Sequence, residues 1–254
     1  LSIGQPDFDV PDLLKEEAIA AIRKGLNRYT VTQGVDELRR RVEKELIRKD
    51  IYFEDTLITS GVSGGLLLAF MVLINPGDEV IIPDPYFVMY KHLVNLVGGV
   101  PRYLDTYPDF IFDSRKLAAL ITKKTKMIIV NSPSNPTGVV YGEKVLKEIA
   151  AAARQHDILL VADEIYDSFS YDGPFAHLGK WHKNTLTLNG FSKSHSMTGW
   201  RVGYAAGPKE IIREMTKLQQ YTFVCAPSFA QMAAVKGLDH PMEKYIEEYR
   251  KKRD

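Results

Sequence analysis

The sequence predicts an α/β fold: three layers, α/β/α, around a mostly parallel central sheet. Three observations carry that expectation. Short β-rich apolar runs alternate with longer stretches of helical period from residue 56 onward. Runs such as MIIV (127–130) are apolar at every position, as suits strands covered on both faces. The chain has 254 residues and a single cysteine, Cys225, so it can bury a large core without disulfides or a cysteine-rich metal site.

The elements follow in chain order. Two amphipathic helices come first, one with Leu14, Ala18 and Ile22 on a face, the other with Leu38, Val42 and Leu46. Around them lie two loop-like stretches, Gly4-Gln5-Pro6-Asp7 and Tyr29 to Gly34. A strand TLIT (56–59) leads to a buried helix over 64–73, which Asn75-Pro76-Gly77 stops. EVII (79–82) precedes a helix over 87–97, closed by Gly98-Gly99. VPRYL (100–104) leads to a helix over 114–121 with Asp113 as its cap. MIIV precedes a helix over 144–155. The strands ILLVAD (158–163), TLTL (185–188) and VGYAAG (202–207) follow, then a helix over 209–220.

Composition narrows the function classes. There are 33 lysines and arginines against 32 aspartates and glutamates, a net charge of +1, which argues against a nucleic-acid binder. The longest apolar run, Leu66–Ile74, is far shorter than the ~20 residues a membrane-spanning helix needs. No basic-then-apolar leader opens the sequence, so a cytoplasmic location is expected. The sequence starts at Leu1 and stops in a charged helical pattern, MEKYIEEYRKKRD, with no glycine or proline stop. Both ends read as cuts in a longer chain.

In parallel α/β sheets ligands bind beyond the carboxyl ends of the strands, so the loops after the strands carry the chemistry. After TLIT comes Ser60-Gly61-Val62-Ser63-Gly64-Gly65, small residues that let backbone N–H groups approach a phosphate at a helix start. It matches neither a Walker loop nor a Gly-x-Gly-x-x-Gly fingerprint; a plain tight turn reads equally well. After EVII, Tyr86 can stack on a flat ring or simply pack under its loop. After MIIV, Asn135-Pro136-Thr137-Gly138 presents an amide that donates and accepts. Asp163 ends an apolar strand, where a carboxylate calls for a cation: a protonated pyridine nitrogen, or a neighbouring Arg or Lys. After TLTL, Lys193 stands among small and hydroxyl residues, close in sequence to Arg201. A lysine that loses solvation or gains a cationic neighbour has a lowered pKa and can form a Schiff base with a carbonyl. Arg201 can clamp a phosphate through two parallel hydrogen bonds. For each of these two cations taken alone, a solvated surface charge is the bland alternative. No His-Glu-x-x-His spacing and no Gly-x-Ser-x-Gly elbow occurs, and no metal site is expected.

Taken in order, these segments resemble the class I/II aminotransferases of pyridoxal-phosphate fold type I. The resemblance rests on Gly4 to Phe8, Tyr29-Thr30 with Gly34 and Leu38-Arg39, Asn135 to Gly138, Ala162 to Tyr166, and Ser192-Lys193 through Gly199-Trp200-Arg201. It implies a pyridoxal 5'-phosphate cofactor and transfer of an amino group between an amino acid and a 2-oxo acid. Lys193 would carry the cofactor and shuttle the substrate's proton. Asp163 would pair with the pyridine nitrogen. Tyr166 and Asn135 would bond the ring's phenolic oxygen, and Tyr86 would stack on the ring. Gly61, Val62, Ser63, Ser192 and Arg201 would hold the phosphate. Tyr29 would reach the phosphate of a neighbouring subunit, implying a homodimer. Gly4 and Asn135 would contact substrate. The family usually has a serine at position 190 or a hydroxyl nearby; here Gly190 would leave that role to Ser192. Residues 1–10 would form a substrate-contacting segment, and 11–254 a large cofactor-binding domain ending near the start of a small one. That small domain normally brings the arginine for the substrate α-carboxylate, and no residue here takes that role. Alternative readings are another fold type I reaction, a β-lyase or decarboxylase, and a non-catalytic cofactor-binding domain.

Overall fold

A computed structural model describes residues 4–254. Of the expected N-terminal segment, residues 1–3 therefore lie outside the described residues. The strands are β1 (Asp55–Thr59), β2 (Glu79–Asp84), β3 (Val100–Asp105), β4 (Thr125–Asn131), β5 (Leu159–Asp163), β6 (Thr185–Gly190) and β7 (Gly203–Gly207). They form one sheet in the order β1-β7-β6-β5-β4-β2-β3. The pairs β2/β3, β2/β4, β4/β5 and β5/β6 are parallel, whereas β7 runs antiparallel to both β6 and β1. The sheet is thus mostly parallel, with β7 the single reversed strand.

Alternate residues of the strands feed different layers. Val80, Ile82, Ile129 and Val161 point to one face, where they meet α3 (Gly61–Leu73), α4 (Met89–Leu96) and α7 (Lys209–Tyr221). Ile81, Ile128, Val130 and Leu160 point to the other, against α5 (Ser114–Leu120) and α6 (Glu143–Gln155). Side chains alternate along a strand, so a run apolar at every position is what two covered faces require. A third cluster joins α1 (Asp12–Arg23), α2 (Asp36–Arg48) and α8 (Ser228–Gly237) to Ile58, Tyr204 and Ala206 of the sheet.

Several boundaries differ from the expectation. α3 starts at Gly61 rather than 64, because Gly61 takes φ +69 and turns the chain straight from strand into helix. On α1 the inward residues are Leu14, Ala18 and Ala21, while Ile22 is exposed. α8 was not expected from the sequence; its buried alanines 230, 233 and 234 let it lie close to α1. Asp113 caps α5 as expected, accepting from the backbone N–H groups of Arg115 at 2.8 Å and Lys116 at 3.4 Å. The charged stretch near the end is helix α9 (Glu243–Arg253). It holds the N-terminal segment: Phe8 packs on Tyr245, and Lys252 pairs with Asp7 at 2.5 Å. No helix among the described residues is long and apolar enough to cross a membrane.

Candidate active site

Neighbouring parallel strands deliver their last residues to one place. Asn131 ends β4, Asp163 ends β5, and the two are register partners. The Asn131 amide donates to the Asp163 carbonyl at 2.9 Å and accepts from the Asn135 N–H at 2.7 Å. One buried side chain thereby fixes the 131–138 loop against β5. These residues line a cavity of about 740 Å³ together with Val62, Ser63, Tyr86, Tyr166, Ser192, Lys193 and Arg201.

Asp163 is buried at the floor of this cavity. Its Oδ2 accepts from the Tyr90 hydroxyl at 2.7 Å and its Oδ1 from the Ile165 N–H at 3.3 Å. Burial pushes its carboxyl up to about 6, against the pull of those two donors. Among the described residues no lysine, arginine or histidine forms a direct ion pair with Asp163; the nearest cation acting on it is Lys193, without contact. A buried carboxyl so placed either keeps its proton or gains from a cationic ligand.

Lys193 lies in the loop after β6. Its ammonium donates to the Gly4 carbonyl and sits 5.7 Å from the centre of the Tyr166 ring. Burial lowers its pKa, and the nearby Arg201 charge adds to the effect; Asp163 opposes it. Tyr166 has its phenol pushed up by burial and by the Asp163 charge, while the nearby Asn135 amide works the other way.

Arg201 lines the same cavity. Its guanidinium donates to the Thr198 carbonyl at 2.8 Å and the Ser60 carbonyl at 3.1 Å, and among the described residues no carboxylate pairs with it. Its backbone is left-handed (φ 54, ψ 52), a conformation costing about 1 kcal/mol or more for a side chain of this kind. Gly61 makes the arrangement possible: a Cβ there would stand 2.6 Å from Arg201 Nη2. The guanidinium can therefore lie against the start of α3, whose first N–H groups have no partner within the helix.

Tyr29 is not brought to this cavity; its side chain is 82% exposed. Position 190 has no room for a serine, because a Cβ would meet the Gly203 Cα of the reversed strand at 2.7 Å. Ser192, buried and lining the cavity, is the nearby hydroxyl. Gly4 and Asn135 also line an adjoining cleft of about 480 Å³ with Tyr166 and Lys193, bounded by Tyr249 and Arg253. Two contributors went unnoticed in the sequence. Tyr90 follows Tyr86 at helical spacing, and Asn131 is the polar residue closing an apolar strand; each signal was present but has commoner structural causes.

The sequence profile of the family described as "Aminotransferase class I and II" matches residues 1–253. This chain belongs to that family. The aspartate aminotransferase of Pyrococcus abyssi is 40% identical, with 100% of this chain and 68% of the relative covered. The aspartate/prephenate aminotransferase of Thermus thermophilus is 38% identical over 100% of this chain and 69% of its own length. Among solved structures, an aromatic aminotransferase from Pyrococcus horikoshii superposes with a TM-score of 0.93 at 38% identity, covering 98% of this chain and 70% of that one. The chain is thus a transferase of the pyridoxal-phosphate-dependent fold type I class, moving an amino group between an amino acid and a 2-oxo acid. The cavity of this aminotransferase fits its cofactor: a lone buried carboxylate suits a pyridinium nitrogen, and an unpaired guanidinium at a helix start suits a phosphate.

Proposed function

We propose that Lys193, Asp163 and Tyr166 are the catalytic residues of the transamination, inside a cofactor site completed by Gly61, Val62, Ser63, Tyr86, Asn135, Ser192 and Arg201. Pyridoxal phosphate, when bound, supplies an aldehyde that condenses with amines and a ring that accepts the electron pair left at the substrate α-carbon. The observation that carries the assignment is the position of Lys193. Its amine lies in one cavity with a carboxylate and a guanidinium that each lack an ion-pair partner among the described residues.

Each role follows from local chemistry. Burial and the Arg201 charge raise the share of neutral Lys193, so its Nζ can condense with the cofactor aldehyde. The same Nζ would be the base that takes the proton from the substrate α-carbon and later gives it back. Asp163 would hold a proton on the ring nitrogen, the form of the ring that accepts electrons. Tyr166 and Asn135 bond the ring's phenolic oxygen. Arg201, Ser192 and the start of α3 would anchor the phosphate, and Tyr86, which lines the same cavity, would stack on the ring.

Residues 11–254 act as the large cofactor-holding domain, and Gly4 lies against Lys193 at the site. Exposed Tyr29 reaches the phosphate of a second copy, so the working form is a homodimer. Because relatives are named for aspartate, aspartate with a 2-oxo acid is the first pair to assay. Borohydride reduction followed by peptide mass spectrometry tests the central assignment. The expected cofactor adduct is on Lys193 and vanishes in Lys193→Ala. An adduct on another lysine overturns it.

A further inference from the structure

We infer that Tyr90 is a positioning residue that sets the aim and basicity of the Asp163 carboxylate toward the cofactor's ring nitrogen, an inference that rests on the role proposed for Asp163. Tyr90 belongs to α4 and Asp163 ends β5, and both line the cavity. Its side chain is fully buried, and Phe87 meets its ring edge-on at 5.6 Å. The ring is wedged in the core cluster of α3, α4 and the sheet. The hydroxyl therefore has a fixed position, and that position is 2.7 Å from Asp163 Oδ2.

The two carboxylate oxygens are unequally served. Oδ2 has the short phenolic bond, whereas Oδ1 has only the Ile165 N–H at 3.3 Å. A carboxylate pinned through one oxygen cannot rotate freely. The direction in which it offers its remaining lone pairs to a ring nitrogen is then set by α4 and not by its own strand.

The phenol also tunes the charge. Burial and the Asp163 carboxylate push the Tyr90 hydroxyl well above its ordinary value, so it stays protonated and keeps a proton to donate to the ionised carboxylate. Donation favours the ionised form of Asp163. The other groups acting on Asp163 are Glu164, next in the chain, which opposes ionisation, and Lys193, from the loop after β6, which favours it. Tyr166 and Tyr141 act on the Tyr90 side of the pair. Of the side chains that favour the Asp163 anion, Tyr90 is the one that touches it.

The variant Tyr90→Phe keeps the ring and its packing and removes one donor. In the cofactor-free chain, carbon-13 NMR of labelled aspartate carboxyls reports the Asp163 titration, identified by its absence in Asp163→Asn. Loss of a hydrogen bond to a charged group should raise that midpoint by about 1 to 2 pH units. In the chain loaded with pyridoxal phosphate labelled with nitrogen-15 in the ring, the resonance should move toward the unprotonated value, because a more basic carboxylate pulls the shared proton harder. An unchanged Asp163 midpoint in a folded Tyr90→Phe chain overturns the inference. A parent whose ring nitrogen is unprotonated overturns the Asp163 role instead. The cofactor-free titration still decides whether Tyr90 controls the carboxylate.

Discussion

Replacing Asp163 by asparagine should stabilise the cofactor-free chain, and only where the aspartate is charged. The folded-state carboxyl titrates at about 6 against an ordinary value of 3.8. A carboxyl whose pKa is raised by folding binds its proton more tightly in the native state. Its contribution is therefore most favourable below the unfolded value, and it is lost as pH rises through about 4 to 6. A rise of about 2 pH units at about 1.4 kcal/mol each gives a loss of about 3 kcal/mol above that window. The amide of Asp163→Asn carries no charge and still accepts from the Tyr90 hydroxyl, so the variant escapes this loss. Urea unfolding of both proteins across the window measures it, and groups that titrate alike in the two cancel in the difference. The variant should gain on the parent by up to about 3 kcal/mol between about pH 4 and pH 7. Added pyridoxal phosphate should erase the gain, because its ring nitrogen pairs with the parent's carboxylate and not with the amide. A difference that stays constant over the window refutes the reasoning.

Two further outcomes test the rest of the site. Arg201→Ala should weaken binding of pyridoxal phosphate by about 10- to 100-fold and leave pyridoxal without its phosphate nearly unaffected; equal losses for both ligands in an absorbance titration would remove Arg201 from the phosphate site. Tyr29→Phe should cost about tenfold in cofactor affinity in the dimer, the worth of one hydrogen bond to a charged group. A parent that sediments as a monomer while holding the cofactor at full affinity refutes that role.

Much of this protein was legible because its strands are buried on both faces. A segment such as MIIV has one structural solution in a mostly parallel sheet, and its carboxyl end is where ligands sit. Asp163, Asn135 and Lys193 stand out for the same reason: each is a polar residue in, or just after, the end of an apolar strand. Tyr90 did not stand out, because a tyrosine on a helix normally packs; only the fold shows that its hydroxyl meets Asp163. The direction of β7 was likewise hidden. Its sequence, GYAAG, reads the same whichever way it runs, and the reversal rests on a short connection from β6 through the 191–202 loop.

That reversal explains why the two cations share one loop. β6 ends at Gly190 and β7 begins at Gly203, side by side in the sheet, so the intervening segment must leave and re-enter at the same end. It leaves with Lys193 and re-enters just after Arg201. Gly190 and Gly203 allow the close approach; a Cβ on either would fall within 3 Å of backbone atoms. The loop thus holds the amine and the guanidinium close enough for the Arg201 charge to lower the Lys193 pKa. Like charges held together are costly to an empty site, as is a carboxylate buried without a cation. A ligand bearing a phosphate at one end and a basic ring nitrogen at the other relieves both costs at once. The same charges that make the empty cavity unfavourable would therefore favour such a ligand, while burial keeps the Lys193 pKa lowered with or without it.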